Sequence, residues 1–345
     1  MKPIRLISLF PAAVFFAATL TVEAWDAPGH RIVNQLALDS LPADFPAFVH
    51  EPAAVERIAF LAGVPDRWSH STDLSLKHNN WPDHYLDVEQ LPEVGIDPAT
   101  ISSFRYEFVA DFAKARDAHA DKLAAIDPAK DPDHTKRWPG FLPWSVTESY
   151  GKLQAAFSSL KVYQELGTPS EIANAEADVI YVMGTMGHYV GDLSQPLHTS
   201  IHHDGWAGPN PHGYFVGKGF HTWIDSGLIA KAGIKTADLE PRITPAQPLS
   251  LALRPDGRDP VFVATMDFLM EQNKLVEPLY QMDLEHKLGR VETPVAPEAR
   301  ALIEGQLCKG GELLGALWVT AWRSAQPESY LRSVLMKRKI AETPK

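Results

Sequence analysis

Apolar residues recur at helical spacing along nearly the whole of this chain, and no segment shows the strict apolar–polar alternation of a half-buried strand. Phe104, Phe108 and Phe112, for example, repeat every four residues within a segment from about 101 to 126. No internal repeat and no linker divides the chain into convincing halves. The sequence therefore predicts an all-α fold that forms a single multi-helix domain.

Local start signals indicate where helices begin. Residues 168–171 (Thr-Pro-Ser-Glu) combine an N-cap Thr, a Pro at the first helical position and a Glu three residues after the cap, so a helix is predicted from here to about Leu193. Ser145 and Glu148 have the same capping-box spacing and predict another helix start. Further long helices are expected over 261–288 and 297–321.

The first 24 residues have the pattern of an export signal. Lys2 and Arg5 precede a nearly uncharged apolar run over 6–20, and Val22-Glu23-Ala24 gives the small-x-small pattern of a cleavage site. The run is shorter than the ~20 residues that span a bilayer, which disfavours the alternative of an uncleaved anchor. We therefore expect a secreted or periplasmic protein whose domain, 25–345, begins at Trp25.

The chain is acidic, with a formal net charge of −11, and it contains 14 His but only one Cys. An acidic surface has no general attraction for a polyanion, so a phosphate-bearing substrate must be bound by a local positive site. The single Cys308 excludes an internal disulfide and is expected to be a core residue on a helix. Metal ions bound by His and Asp could supply that local positive charge.

One motif has the spacing of a metal site. His188 and Asp192 are four residues apart on one predicted helix, so their side chains share a face. His198 follows just past the predicted helix end. Zinc favours nitrogen and oxygen ligands of this kind, although a lone His-x3-Asp pair on a helix is more often an ordinary surface contact.

Compatible ligands recur elsewhere in the chain. His221 and Asp225 repeat the His-x3-Asp spacing at a predicted helix start, and Asp66, His84 and His30 lie upstream. Each residue alone could be an ordinary structural or surface residue, but their combination in one chain favours a metal cluster.

In this combination the chain resembles the trinuclear zinc phosphodiesterases. That superfamily joins the single-strand-specific nucleases of fungi and plants, the S-one/P-one type, to the zinc-dependent phospholipases C of bacteria. The resemblance consists of Trp-x4-His from Trp25 to His30, a separated Asp and His, His-x3-Asp-x5-His, and a final His-x3-acid. The motifs extend to Asp225, and beyond it the resemblance is only in helical character. It implies a zinc cluster at the base of a surface cleft.

The resemblance also implies how three zinc ions would be shared among the ligands. Asp66, His84, His188 and Asp192 would bind the first ion, and His198, His221 and Asp225 a second, more open one. The third would be bound by the terminal amine and carbonyl oxygen of Trp25, by His30 and by Asp192 as a bridge. Only cleavage of the signal creates that amine, so the signal and Trp25 support each other.

The implied activity is hydrolysis of phosphodiester bonds by a metal-activated water. Bound metal lowers the pKa of water to ~7, and Asp66 would orient the attacking water as well as bind zinc. The second zinc would stabilise the departing alkoxide. Tyr85 is a candidate to stack on a base of the substrate, with simple packing as the alternative.

Three alternatives remain open at the level of sequence. Trp-x4-His and Asp225 resemble the nucleases, whereas Gly219-Phe220-His221, the acidic charge and the lack of disulfides resemble the phospholipases C; we expect a nuclease for single-stranded nucleic acid. A phosphohydrolase with a His203–Asp204 dyad would need a helix that the neighbouring Gly and Pro residues disfavour. A non-catalytic exported zinc-binding protein is the third. No stable protein partner is implied, and we expect a monomer.

Overall fold

The computed structural model describes residues 25, 27–121, 123 and 125–342. The predicted export signal, 1–24, lies outside the described residues. Within them no β-strand is present, and the nearest approach to one is an isolated bridge between Leu86 and Gly140. The all-α prediction is thus confirmed. The α-helices are α1 Ala27–Asp39, α2 Pro52–Leu61, α3 Val64–Ser69, α4 Leu74–Asn80, α5 Gln90–Glu93, α6 Arg105–Ala118, α7 Leu142–Leu166, α8 Pro169–Ser194, α9 Phe220–Thr222, α10 Leu228–Ala232, α11 Thr236–Leu239, α12 Pro260–Asn273, α13 Val276–Leu284, α14 Pro297–Ser324 and α15 Ser329–Glu342.

Helix α8 is the centre of the architecture, because α1, α2, α7 and α14 all pack against it. Its C-terminal half, from Met183 to Ser194, is buried on every side. Close packing of α1 here requires a residue without a side chain: a Cβ added at Gly191 would lie 2.5 Å from Nδ1 of His30. The fold therefore brings α1 directly onto the face of α8 that carries the predicted ligands.

The predicted start of α8 is confirmed in detail. The Thr168 hydroxyl accepts the Glu171 amide, and the Glu171 carboxylate accepts the Thr168 amide, which is the reciprocal capping box that the sequence indicates. The analogous prediction for Ser145 and Glu148 is wrong. Helix α7 begins earlier, at Leu142, with Ser145 donating to the Phe141 carbonyl and Glu148 paired with Arg105.

Several predicted helix limits also differ from the structure. The helix expected over 101–126 occupies only Arg105–Ala118, and that expected over 261–288 is interrupted at Lys274 and Leu275. Helix α15 has no counterpart among the predicted helices. Cys308 lies buried on α14 as expected. Among the described residues, no helix is both long and apolar enough to cross a membrane.

Candidate metal centre

The candidate ligands converge at the C-terminal end of α8. His188 and Asp192 project from the same face of this helix, and His198 lies in the 3-10 turn Pro196–Thr199 that follows. Pro196 ends the helix and turns the chain back toward that face, as the sequence suggests. The structure brings eight predicted ligands together by their side chains, and all of them are buried: His30, Asp66, His84, His188, Asp192, His198, His221 and Asp225.

The first group of four fits the size of a zinc site. Ligands about 2.0–2.1 Å from a tetrahedral zinc stand roughly 3.3 Å from one another. Here Nε2 of His188 lies 2.9 Å from Nδ1 of His84, and the carboxylate oxygen Oδ2 of Asp192 lies 3.3 and 3.1 Å from these two nitrogens. The Oδ1 atom of Asp66 lies 3.5 Å from His188 and 3.7 Å from His84. These five separations are close to the edge length of a coordination tetrahedron, and Asp66, His84 and His188 form one compact group of possible ligands.

Asp192 has the geometry of a bridging carboxylate. While its Oδ2 faces His84 and His188, its Oδ1 lies 3.3 Å from Nε2 of His30. The His30 ring stacks on that of His188 at 4.0 Å between centroids. Each oxygen of this carboxylate therefore faces a different group of nitrogen donors, which is the arrangement expected of a ligand shared by two cations.

The second group contains His198, His221 and Asp225. The Nε2 atoms of His198 and His221 lie 2.9 Å apart, and Oδ2 of Asp225 is 3.1 Å from the latter. Asp225 lies on a π-helical turn, Trp223–Gly227, that continues α9 into α10. Such π-turns occur frequently at functional sites. The predicted helical start at His221 is present, with Gly219 before it in the left-handed region at φ 89°.

Backbone carbonyls fix which nitrogen of two rings faces the centre. Nδ1 of His188 is 2.7 Å from the Ala62 carbonyl oxygen, and Nδ1 of His198 is 2.6 Å from that of His84. A carbonyl only accepts, so each Nδ1 carries a proton and each Nε2 is the nitrogen that faces the centre. This is the usual outer support of a metal-bound imidazole.

The remaining polar atoms support a cation as their common partner. Both ring nitrogens of His30, both oxygens of Asp192 and Oδ2 of Asp66 are buried and make no hydrogen bond within the described part of the chain. Buried polar atoms without partners are costly, and buried carboxylates more so. The donor set, imidazole nitrogens with carboxylate oxygens, is the one that zinc prefers.

The protonation of the histidines agrees with this view. Burial lowers the pKa of His30 to about 4 and lowers the pKa of His198 and of His221, so these rings are neutral at pH 7. Burial also acts to lower the pKa of His188, but the negative charges of Asp192 and Asp66, together with hydrogen bonds to Asp192 and to the Ala62 carbonyl, outweigh it and raise that pKa to about 9. A cation bound beside His188 would take the place of that proton.

Trp25 packs against both α1, which carries His30, and α8, which carries Asp192. Its indole is fully buried, and the indole N–H donates to the Ser194 hydroxyl at 3.1 Å, two residues beyond Asp192. Its Cβ also touches the position that a Cβ of Gly29 would take, beside His30. The packing of the side chain therefore holds residue 25 against the ends of α1 and α8, next to the region of the predicted third ion.

A cleft of about 530 Å³ opens above the first and second groups, with Asp66, His84, His198 and His221 in its lining. Tyr85 lies in its wall, and its contact with a substrate base stays a prediction. Gly140 makes this wall possible: its φ is +104°, and a Cβ there would lie 2.0 Å from the Tyr85 carbonyl oxygen. The cleft is also lined by residues that the sequence reasoning missed, namely Lys77, Lys130, Lys136, Lys218, Trp81 and Trp138.

The polar residues of the loop over 199–220 lie in different surroundings. His203 is exposed and lines the cleft, His202 stacks on Trp206 with 3.9 Å between centroids, and His212 is exposed as well. Residues 201–204 form turns, so the helical His203–Asp204 dyad is absent. Instead Oδ1 of Asp204 accepts the amide of Gly219 at 2.7 Å and that of His221 at 3.3 Å, which positions His221.

A second supporting residue, Gln195, was also missed. Its side-chain amide donates to Oδ1 of Asp225 at 2.5 Å, and its Oε1 accepts the Leu197 amide. Gln195 thereby ties the turn that carries His198 to the turn that carries Asp225. Its place between Asp192 and His198 in the motif was the only sequence signal available.

Comparison with known proteins provides no relative for this chain: no family model matches it, and no curated protein matches it. Its function must accordingly be inferred from the chemistry and geometry of these side chains.

Proposed function

We propose that this protein is an exported zinc-dependent phosphodiesterase of the trinuclear zinc superfamily that hydrolyses single-stranded nucleic acid. The observation that carries the proposal is the arrangement of three buried groups of His and Asp around Asp192, beneath an open cleft. His30 with His188 and Asp192 forms one group, Asp66 with His84 and His188 another, and the third is His198, His221 and Asp225.

Charge provides the physical reason for phosphate as the target. Three zinc ions would bring six positive charges, and the buried carboxylates of Asp66, Asp192 and Asp225 offset only three. The cleft floor of an otherwise acidic protein would then attract a phosphodiester. When bound, zinc lowers the pKa of water and polarises phosphate oxygens. Asp66 is suited to orient the attacking water, because its Oδ2 has no hydrogen-bond partner within the described residues.

The walls of the cleft favour nucleic acid over a phospholipid. Lys136 stands in the wall without an ion pair among the described residues. Lys77 and Lys218, which pair there with Asp133 and Asp204, are close enough to join it in neutralising the backbone phosphates of a polymer. Trp81 and Trp138, with Tyr85, offer aromatic faces on which unpaired bases stack. A single phosphatidyl head group needs neither a row of lysines nor several stacking surfaces.

The direct test is a zinc count on the purified mature protein together with a substrate panel. Single-stranded DNA, RNA, a nucleoside 3′-monophosphate and phosphatidylcholine would be offered side by side. We expect at least two zinc ions per chain, hydrolysis of the nucleic acids, loss of activity with a chelator and recovery with added zinc. Hydrolysis of phosphatidylcholine alone would make the protein a phospholipase C. Zinc bound without turnover of any phosphodiester would make it a zinc-binding protein.

The lysines give a prediction of their own. The Lys136→Ala/Lys218→Ala variant should raise KM for single-stranded DNA. The slope of log KM against log salt concentration should fall by ~0.7 for each phosphate that is no longer neutralised. Its kcat on a small chromogenic phosphodiester should stay unchanged, because neither lysine is a ligand and Asp204, the partner of Lys218, keeps its hydrogen bonds to the Gly219 and His221 amides. The matched control is Lys235→Ala/Lys274→Ala, which removes two exposed lysines outside the cleft. An equal effect of both pairs would show that only net charge matters.

A further inference from the structure

The last helix, α15, presents an unusually apolar face to solvent. Leu335 is its only buried residue, whereas Tyr330 is 76 % exposed, Ile340 71 % and Val334 42 %. At about 100° per residue, Tyr330, Val334, Lys337 and Ile340 fall within an arc of roughly 120° that points away from Leu335. The packing of the protein therefore leaves this face without an apolar partner among the described residues.

Polar contacts hold the opposite side of α15 to the body of the protein. Arg332 pairs with Glu165 near the end of α7 at 2.7 Å, and Arg338 pairs with Glu171 in the first turn of α8 at 2.6 Å. These two pairs flank the buried Leu335. They fix the rotation of the helix, so the exposure of Tyr330 and Ile340 is a consequence of how α15 is anchored.

The charge of α15 is opposite to that of the whole chain. The helix contains four basic residues and a single acidic one, Glu342, whereas the protein carries a formal net charge of −11. Arg332 and Arg338 are paired with glutamates, so Lys337 supplies the positive charge of the exposed face. Lys337 lies between the exposed apolar side chains. A second copy of the chain would bring its own Lys337 against this one, and like charges would oppose that contact. An anionic surface is the complementary partner.

We propose that α15 is an interfacial helix that docks the protein on a membrane rich in anionic phospholipid. Tyr330, Val334 and Ile340 would enter the boundary between head groups and acyl chains, as the apolar face of an amphipathic helix does. Lys337 would extend its ammonium group to lipid phosphates while its stem stays among the apolar side chains. The acidic remainder of the protein is repelled only weakly, since its charges are screened beyond ~10 Å at 0.1 M salt.

This site is separate from the candidate metal centre. The rise of about 1.5 Å per residue puts roughly 25 Å between Glu171, which Arg338 contacts, and His188 on α8. Vesicle binding through α15 and hydrolysis at the cleft can therefore be lost independently.

The test is co-sedimentation of the full protein with vesicles of phosphatidylglycerol mixed with phosphatidylcholine, and with vesicles of phosphatidylcholine alone. We expect binding to the mixed vesicles that weakens as salt is added. The Tyr330→Ser/Ile340→Ser variant should weaken it roughly tenfold or more, and Lys337→Glu should weaken it as well. Hydrolysis of a soluble phosphodiester should not change in either variant. The matched control is Tyr106→Ser/Leu253→Ser, which removes two apolar side chains elsewhere that are even more exposed.

Three outcomes would overturn the proposal. The first is absence of binding to the mixed vesicles at low salt, and the second is binding that the α15 variants leave unchanged. The third is a dimer in light scattering that becomes a monomer in Tyr330→Ser/Ile340→Ser, which would assign this face to a second copy. Circular dichroism of each variant would verify that the fold is kept.

Discussion

The Asp192→Asn variant is expected to lose more than one zinc ion and at least ~10²-fold in phosphodiester hydrolysis. Oδ2 of Asp192 faces His84 and His188, and Oδ1 faces His30, so the two oxygens serve two groups of donors. Asparagine keeps the volume of the side chain but loses its charge and one of its two oxygen ligands. Zinc content by elemental analysis and kcat/KM on single-stranded DNA would measure the two effects.

The matched control is Asp178→Asn, the same chemical change at an exposed position on the same helix. It should leave zinc content and activity unchanged. Circular dichroism should show Asp192→Asn still helical, since α1, α7 and α14 pack on α8 through extensive apolar contacts. If Asp192→Asn keeps all its zinc, the bridging role is wrong, and separate mononuclear sites would describe the centre better.

The second large effect concerns the mature N-terminus. A cytoplasmic form that begins Met-Trp25 and keeps its Met is expected to fold, to lack about one zinc ion and to have little activity. An α-amine, with a pKa near ~7.7–8.0, binds metal once it is deprotonated, whereas an amide nitrogen does not do so at neutral pH. Correctly processed protein should be active, and Edman sequencing should read Trp-Asp-Ala-Pro-Gly-His.

Trp25→Phe in correctly processed protein separates the amine from the indole. This variant keeps the terminal amine but loses the hydrogen bond from the indole to Ser194. It should retain the third zinc ion and most of the activity, at some cost in stability. If the Met-extended form holds as much zinc and reacts as fast as the processed one, residue 25 is only a packed aromatic. A two-zinc hydrolase would then be the better description.

The sequence was sufficient to predict features that depend on interactions between residues close together in the chain. The Thr168 capping box and Pro196 define α8 almost to the residue, because cap hydrogen bonds and the fixed φ of proline act within a few positions. The regular turn of a helix then places His188 and Asp192 on one face without further information. The Ser145–Glu148 prediction was wrong for a tertiary reason. Arg105 of α6 donates a hydrogen bond to the Glu148 carboxylate, and α7 starts a turn earlier.

Only the tertiary structure decided which distant residues meet. His84 and His188 are far apart in the chain, yet their nitrogens lie 2.9 Å apart because the 3-10 turn Trp81–His84 packs against α8. The lysines of the cleft and the exposed face of α15 could not be predicted from local sequence either. A charged or apolar residue in a loop or helix does not by itself indicate whether it will line a cleft or face solvent. Spacing along a helix is fixed by backbone geometry, whereas convergence across the chain depends on how whole helices pack, which no short stretch of sequence encodes.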